Sequence, residues 1–172
     1  QKQYKNKLSN FNTWEQKEHS EKYMLFPDNM GEYLSLDETA FTNGELYTIL
    51  TNKGAKGKKG SLVAVVKGTK YDDLVEIFEL LPVINRFKVK EITLDMAPSM
   101  NSAAKKSFPK ATIVTDRFHV QKLTFEAVQS IRVDYRWKAI EDDNKAFTEA
   151  KNNKKYRPEL FENGDTRKQL LA

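Results

Sequence analysis

Leu62-Val63-Ala64-Val65-Val66-Lys67-Gly68-Thr69-Lys70-Tyr71-Asp72-Asp73-Leu74-Val75-Glu76-Ile77-Phe78-Glu79-Leu80-Leu81-Pro82 changes its hydrophobic period halfway along. Leu62 to Val66 is an unbroken apolar, mostly β-branched run, the mark of a buried strand. Beyond Gly68, Leu74, Ile77, Phe78 and Leu81 recur at i, i+3, i+4 and i+7, the stripe of an amphipathic helix. Its first turn carries Asp72 and Asp73, as the helix dipole favours, and Pro82 helps to stop it. Upstream, Tyr33–Leu36 and Leu46–Thr51 read as two further strands, and the Gly- and Lys-rich segment Asn52–Gly60 as the hairpin loop before Leu62. Downstream come a strand at Glu91–Asp95, a short helix at Pro98–Phe108 with Pro near its start, and a strand at Thr112–Asp116. Val120, Leu123, Ala127, Val128 and Ile131 then mark a helix expected to run to about Phe147.

Three meandering strands followed by helix, strand, helix, strand, helix is the order of the ribonuclease H-like fold. This is an α/β class with a mixed sheet, helices on both faces, and the first and fourth strands side by side. Residues 1–30 are polar, with Tyr4, Phe11, Trp14, Tyr23 and Phe26 at no clean period, and read as a lead-in segment closed by the turn at Pro27-Asp28-Asn29. The expected division is lead-in at 1–30, core at 31–130 and the start of a helical insertion at 131–172. The chain starts at Gln1 and ends at Leu170-Leu171-Ala172 with no stop signal, and reads as an excised fragment.

The 172 residues are 39% hydrophobic and 11% aromatic with only 7 Gly and 5 Pro, which excludes disordered and collagenous classes. No stretch approaches the roughly 20 apolar residues of a membrane helix, and the lysines of Gln1–Leu8 precede no apolar core of a secretory signal. A cytoplasmic location without membrane contact is the expectation. Zero cysteines exclude disulfides, thiolate zinc sites and cysteine nucleophiles, and two histidines, His19 and His119, cannot alone build a metal site, so any metal must be held by oxygen. The net charge of +5 suits a polyanionic partner. Between Glu45 and Asp72 there is no acidic residue, while Lys53, Lys56, Lys58, Lys59, Lys67 and Lys70 form a basic strip.

Asp37 follows the first core strand and Asp95 ends the fourth. On neighbouring strands their carboxylates leave one sheet edge about 4.8 Å apart, a spacing at which they can share hard divalent cations. A metal pair so held supports in-line displacement at phosphorus. The competing reading is two unrelated turn or capping residues.

Leu34-Ser35-Leu36-Asp37-Glu38, Leu94-Asp95-Met96-Ala97-Pro98, Ser107-Phe108-Pro109-Lys110-Ala111 and Val114-Thr115-Asp116-Arg117-Phe118-His119-Val120-Gln121-Lys122-Leu123, with Ala127 and Arg132, resemble the DDE transposases of bacterial insertion sequences, in particular the ISL3 family. The similarity spans roughly residues 32 to 145. It implies a catalytic domain that binds transposon-end and target DNA, uses Mg²⁺ or Mn²⁺, frees 3′-hydroxyls by strand cleavage and joins them to target DNA, in a bacterial, nucleoid-associated setting with homo-oligomers in the full-length protein. Asp37 and Asp95 match the family's first two catalytic and metal-binding carboxylates. The third, a helical Glu beyond an inserted segment, is expected outside this chain, with Glu126 and Glu141 as the in-chain candidates. The isolated fragment is therefore expected to be inactive.

Around this pair, Glu38 points to the opposite face of its strand and has a structural role or touches the metal, Asp116 approaches the metals or else caps the next helix and supports the site, and His119 bonds the sheet edge or contacts phosphate or metal. Lys53, Lys56, Lys58, Lys59 and Arg117 are DNA-backbone candidates that read no bases, against the alternative of a solvated hairpin tip. His19 is expected exposed, and Trp14 and Trp137 are expected in packing. Two other functions stay open: a non-catalytic DNA-binding module of the same fold, or another metal-dependent nuclease.

Overall fold

A computed structural model describes residues 3–41, 44–153, 159–166 and 169. The chain forms two compact units, residues 1–119 and 120–172. The first contains a six-stranded sheet of β1 (Tyr23–Leu25), β2 (Tyr33–Ala40), β3 (Leu46–Asn52), β4 (Leu62–Lys67), β5 (Glu91–Leu94) and β6 (Thr112–Thr115), in the order β1-β4-β3-β2-β5-β6. The pairs β1/β4, β4/β3 and β3/β2 are antiparallel, and β2/β5 and β5/β6 are parallel. The meander and the two parallel strands give the ribonuclease H-like arrangement expected from the element order. The helices are α1 (Tyr71–Glu79), α2 (Val83–Lys88), α3 (Pro98–Ser107) and α4 (Arg117–Asn153).

The alternation in β2 and β5 divides the sheet's faces. Leu34, Leu36, Ile92 and Leu94 are buried, whereas Ser35, Thr93 and Asp95 are half-buried and Asp37 is exposed. The buried set joins Leu50, Ala64, Val66, Leu74, Phe78, Leu81, Met100, Ala103 and Phe108 in one core, each fully or almost fully withdrawn from water. Each large aliphatic or aromatic side chain so buried contributes about 1.5–3 kcal/mol. α1 and α3 pack on one another over this face, with the Phe78 and Phe108 rings 5.8 Å apart. The stripe Leu74, Ile77, Phe78 and Leu81 thus faces the core as expected, Ile77 only partly buried.

Three departures from the sequence reading have local causes. β1 lies within the supposed lead-in; three residues are too few to show a period, and the strand exists because Tyr23, Met24 and Leu25 pair with Val66, Val65 and Ala64. The Gln16 amide occupies its outer side, donating to the Leu25 carbonyl at 2.6 Å and accepting from the Leu25 N–H at 2.7 Å. α2 follows Pro82, which the sequence marked only as a stop; Pro is well suited to helix entry. α4 extends beyond Phe147 to Asn153, and its Val120, Leu123, Val128 and Ile131 are 45–59% exposed, so the stripe that marks this helix is not a buried face. Trp137, expected in packing, is 60% exposed, while Trp14 is half-buried.

Asn52, at the end of β3, fastens the hairpin to the entry of β2. Its Nδ2 donates to the Asn29 carbonyl at 2.9 Å and its Oδ1 accepts from the Gly54 N–H at 2.9 Å. Asn29 in turn donates to the Leu62 carbonyl at 2.6 Å. A Cβ on Gly31 would lie 2.6 Å from Asn52 Oδ1, so this amide fits only above a glycine. Asn52→Ala is expected to cost about 1–3 kcal/mol by stranding its partners, and Gly31→Ala about 1–3 kcal/mol by overpacking. In urea unfolding the double variant should lose clearly less than the sum, because removing the amide removes the clash; strict additivity would refute the contact.

Candidate active site

Parallel pairing places Leu36 beside Leu94, and Leu94 beside Thr115. The next position along each strand is an aspartate: Asp37, Asp95 and Asp116. Strand spacing sets about 4.8 Å between neighbours in such a row. The Asp116 N–H donates to the Leu94 carbonyl at 2.7 Å, extending the β5/β6 pairing to this level. Asp37 is exposed and the other two are half-buried. Asp37 is not the end of its strand, as the sequence suggested: β2 runs on to Ala40 because Glu38, Thr39 and Ala40 still pair with Thr48, Tyr47 and Leu46 of β3. Its position is instead where the parallel partner stops.

Each carboxylate has one oxygen engaged locally. Asp37 Oδ1 accepts from the Glu38 N–H at 2.8 Å, Asp95 Oδ1 from the Ala97 N–H at 2.8 Å, and Asp116 Oδ1 from the Phe118 N–H at 2.9 Å. Asp116 thereby plays the capping role at the start of α4, as one of its two sequence readings has it. Among the described residues the second oxygen of each aspartate receives no hydrogen bond, and no three His, Asp or Glu side chains converge on one ion position. Asp37 and Asp95 nevertheless offer hard oxygen donors from adjacent backbones, a donor set suited to Mg²⁺ or Mn²⁺, which use one or two carboxylates and keep waters or phosphate oxygens for the rest.

Glu38 pairs with Thr48 in the row of the core-side residues, on the face opposite Asp37, and is exposed. His119, in the first turn of α4, is half-buried with its ring edge-on to Phe118 at 5.6 Å. Arg117 is exposed. Glu126 and Glu141 belong to the second unit, where both are exposed and Glu126 lies 3.9 Å from Lys122. His19, expected exposed, is half-buried, with its ring stacked on Tyr23 at 4.1 Å and Nδ1 3.1 Å from the Tyr23 carbonyl.

The basic strip separates into two kinds of lysine. Lys53 turns back onto the sheet, its Nζ 2.7 Å from Thr93 Oγ1 and 3.1 Å from Glu91 Oε1, on the face that carries Asp95 just past the end of β5. Lys67 is held by Glu45 at 2.6 Å; this bond and a second from the Tyr47 hydroxyl at 3.1 Å keep the Glu45 carboxyl below its usual range, while Lys67 is raised by the same partner. Lys56, Lys58 and Lys59 are exposed at the hairpin tip, with no ion pair among the described residues. The sequence reading overlooked Glu91 and Thr93, although the alternation of Glu91, Thr93 and Asp95 against Ile92 and Leu94 puts all three on one face.

A family model described as transposase, of the DDE ISL3 type, matches residues 34–169. No match was found among curated proteins.

The cap at α4 can be told from a role in ion binding by stability alone. Asp116→Ala should cost about 1 kcal/mol, whereas Asp116→Asn, which keeps an accepting oxygen, should cost a few tenths at most. Equal losses in thermal melts of the two variants would show that charge, not capping, is what Asp116 contributes.

Proposed function

The chain belongs to the ISL3 family of transposases, and from that premise we propose that it carries the catalytic ribonuclease H-like part of a DDE enzyme of a bacterial insertion sequence, acting on transposon-end and target DNA. The observation that carries this reading is the shared row of Asp37 and Asp95 on adjacent parallel strands. Transposases as a family are nucleases and transferases of DNA. The finer assignment is that Asp37 and Asp95 are two of the three catalytic carboxylates and hold Mg²⁺ or Mn²⁺. Such an ion, when bound, activates the attacking oxygen and stabilises the leaving one in phosphoryl transfer. The protein's own share is positional: the β2/β5 pairing fixes the two backbones, and the N–H groups of Glu38 and Ala97 each hold one carboxylate oxygen.

On this reading residues 31–130 are the catalytic core, to which the lead-in of residues 1–30 adds β1, and residues 131–172 begin a helical insertion. Glu38, Asp116 and His119 support the site rather than perform the chemistry. The hairpin tip of Lys56, Lys58 and Lys59, with Arg117, neutralises DNA phosphates without reading sequence, and Lys53 joins them only by leaving Glu91. The protein works in the bacterial cytoplasm at the nucleoid, as an oligomer at the DNA ends. Among the described residues no helix is long and apolar enough to cross a membrane.

A Mn²⁺ titration followed by paramagnetic broadening should affect residues around Asp37 and Asp95 first, and the Asp37→Ala, Asp95→Ala double variant should lose the effect. Broadening that persists in that variant would place the ion elsewhere. The 172-residue chain alone is expected to cleave no DNA, since no three His, Asp or Glu side chains converge on one ion position among the described residues; cleavage that depends on Asp37 would direct attention to Glu126 and Glu141.

DNA affinity tests the lysines separately. The logarithm of affinity should fall against log salt by about 0.9 per phosphate neutralised, and the Lys56→Ala, Lys58→Ala, Lys59→Ala variant should bind all duplex sequences more weakly and with a shallower slope. Melting should be nearly unchanged, because exposed charges without partners contribute little to folding. Unaltered affinity would leave the loop a solvated turn.

A further inference from the structure

α2 (Val83–Lys88) carries Val83, Ile84 and Phe87, which are 56%, 67% and 44% exposed, and Leu80, at the end of α1, is 56% exposed. The helix cannot roll to bury them, because its other side is fastened. Arg86 Nε donates to the Leu81 carbonyl at 3.2 Å and Nη1 to the Ser107 carbonyl at 2.8 Å, while Leu81 and Val89 are 1% exposed. Val83, Ile84 and Phe87 line a shallow groove of about 690 Å³ with Lys88 and Lys110. Three exposed apolar side chains on so short an element, with Leu80 exposed just before it, form a patch of the kind that marks interaction surfaces.

The rim of the patch is cationic. Residues 80–90 and 96–115 contain no Asp or Glu. Lys90 is neutralised by Glu32 at 2.7 Å, but Lys88 and Lys110 have no ion pair among the described residues, and Lys110 Nζ lies over the Phe87 ring at 5.4 Å. The patch precedes β5 and β6 in the chain, at the end of the parallel strands opposite to that of Asp95 and Asp116, so it is separate from the candidate active site.

We propose that α2 is a docking site for a different protein, recognised as an amphipathic acidic segment whose apolar side chains fill the Val83–Ile84–Phe87 groove and whose carboxylates meet Lys88 and Lys110. An apolar centre inside a charged rim is the anatomy of a protein interface. Duplex DNA would gain from the two lysines but nothing from the three apolar side chains of the groove. Self-pairing about a two-fold axis brings one basic rim against another, a repulsive arrangement.

The test uses two helical peptides that share leucines at i, i+3, i+4 and i+7 and differ only in carrying Glu or Lys on the flanks. Amide shifts of the chain should move at Val83–Lys88 and Lys110 with the Glu peptide, not around Asp37 and Asp95, and much less with the Lys peptide. Ile84→Ser should weaken the Glu peptide by about tenfold or more, and Lys88→Glu with Lys110→Glu should reverse the preference between peptides. All these positions are exposed, so the variants should fold as the parent does, which their unchanged shifts elsewhere would verify. The proposal fails if both peptides bind alike, if neither shifts α2, if a duplex oligonucleotide produces the same shifts, or if sedimentation shows a dimer that Ile84→Ser dissociates.

Discussion

β2 is the hinge of the architecture, because it alone pairs antiparallel on one side and parallel on the other. Its parallel partner enters at Tyr33–Glu91 and leaves after Leu36–Leu94, and a shift of one residue would turn Leu34 and Leu36 out of the core and bring Ser35 and Asp37 into it. The register is therefore fixed by burial of leucines, and the aspartate pair inherits its alignment from them. A polar site that needs two carboxylates side by side is held by an apolar constraint on the far face of the same strands.

Much of this was legible in the sequence for a physical reason. Leu62–Val66 and Leu74–Leu81 have long, consistent periods, and Asp37 and Asp95 each follow a run whose alternation is set by burial, so element order and their relation could be worked out together. What escaped was set by tertiary pairing rather than by pattern. β1 is too short to show alternation and depends on β4 for its hydrogen bonds. α2 hides behind a proline that serves entry as well as exit. The second half of β2 persists through its hairpin with β3, so Asp37 lies within a strand that sequence alone would end. The fate of Lys53 could not be foreseen either, since Glu91 and Thr93 lie 38 and 40 positions away.

Charge is partitioned with the same logic as apolar area. Lysines that sit over the sheet or along its margins, Lys53, Lys67 and Lys90, each have a glutamate partner, whereas those at the hairpin tip and beside α2 have none among the described residues. Exposed pairs of this kind add little to stability. Their effect is to quench the local field along the sheet, while the Lys56–Lys59 tip and the Lys88–Lys110 rim keep their charge unpaired among the described residues.

The Gln16 amide gives the sheet a direction. A side chain that both donates to and accepts from Leu25 imitates one residue of a further strand, and so terminates hydrogen bonding at β1. Nothing comparable among the described residues lies outside β6, whose Thr112, Val114 and Thr115 are exposed. Among the described residues the sheet thus has one sealed outer margin and one open one, and strand addition at the outer margins would favour β6. A shield made by one glutamine at the first margin has no counterpart among the described residues at the second, so the outer N–H and C=O groups of β6 remain the sheet's exposed outer edge.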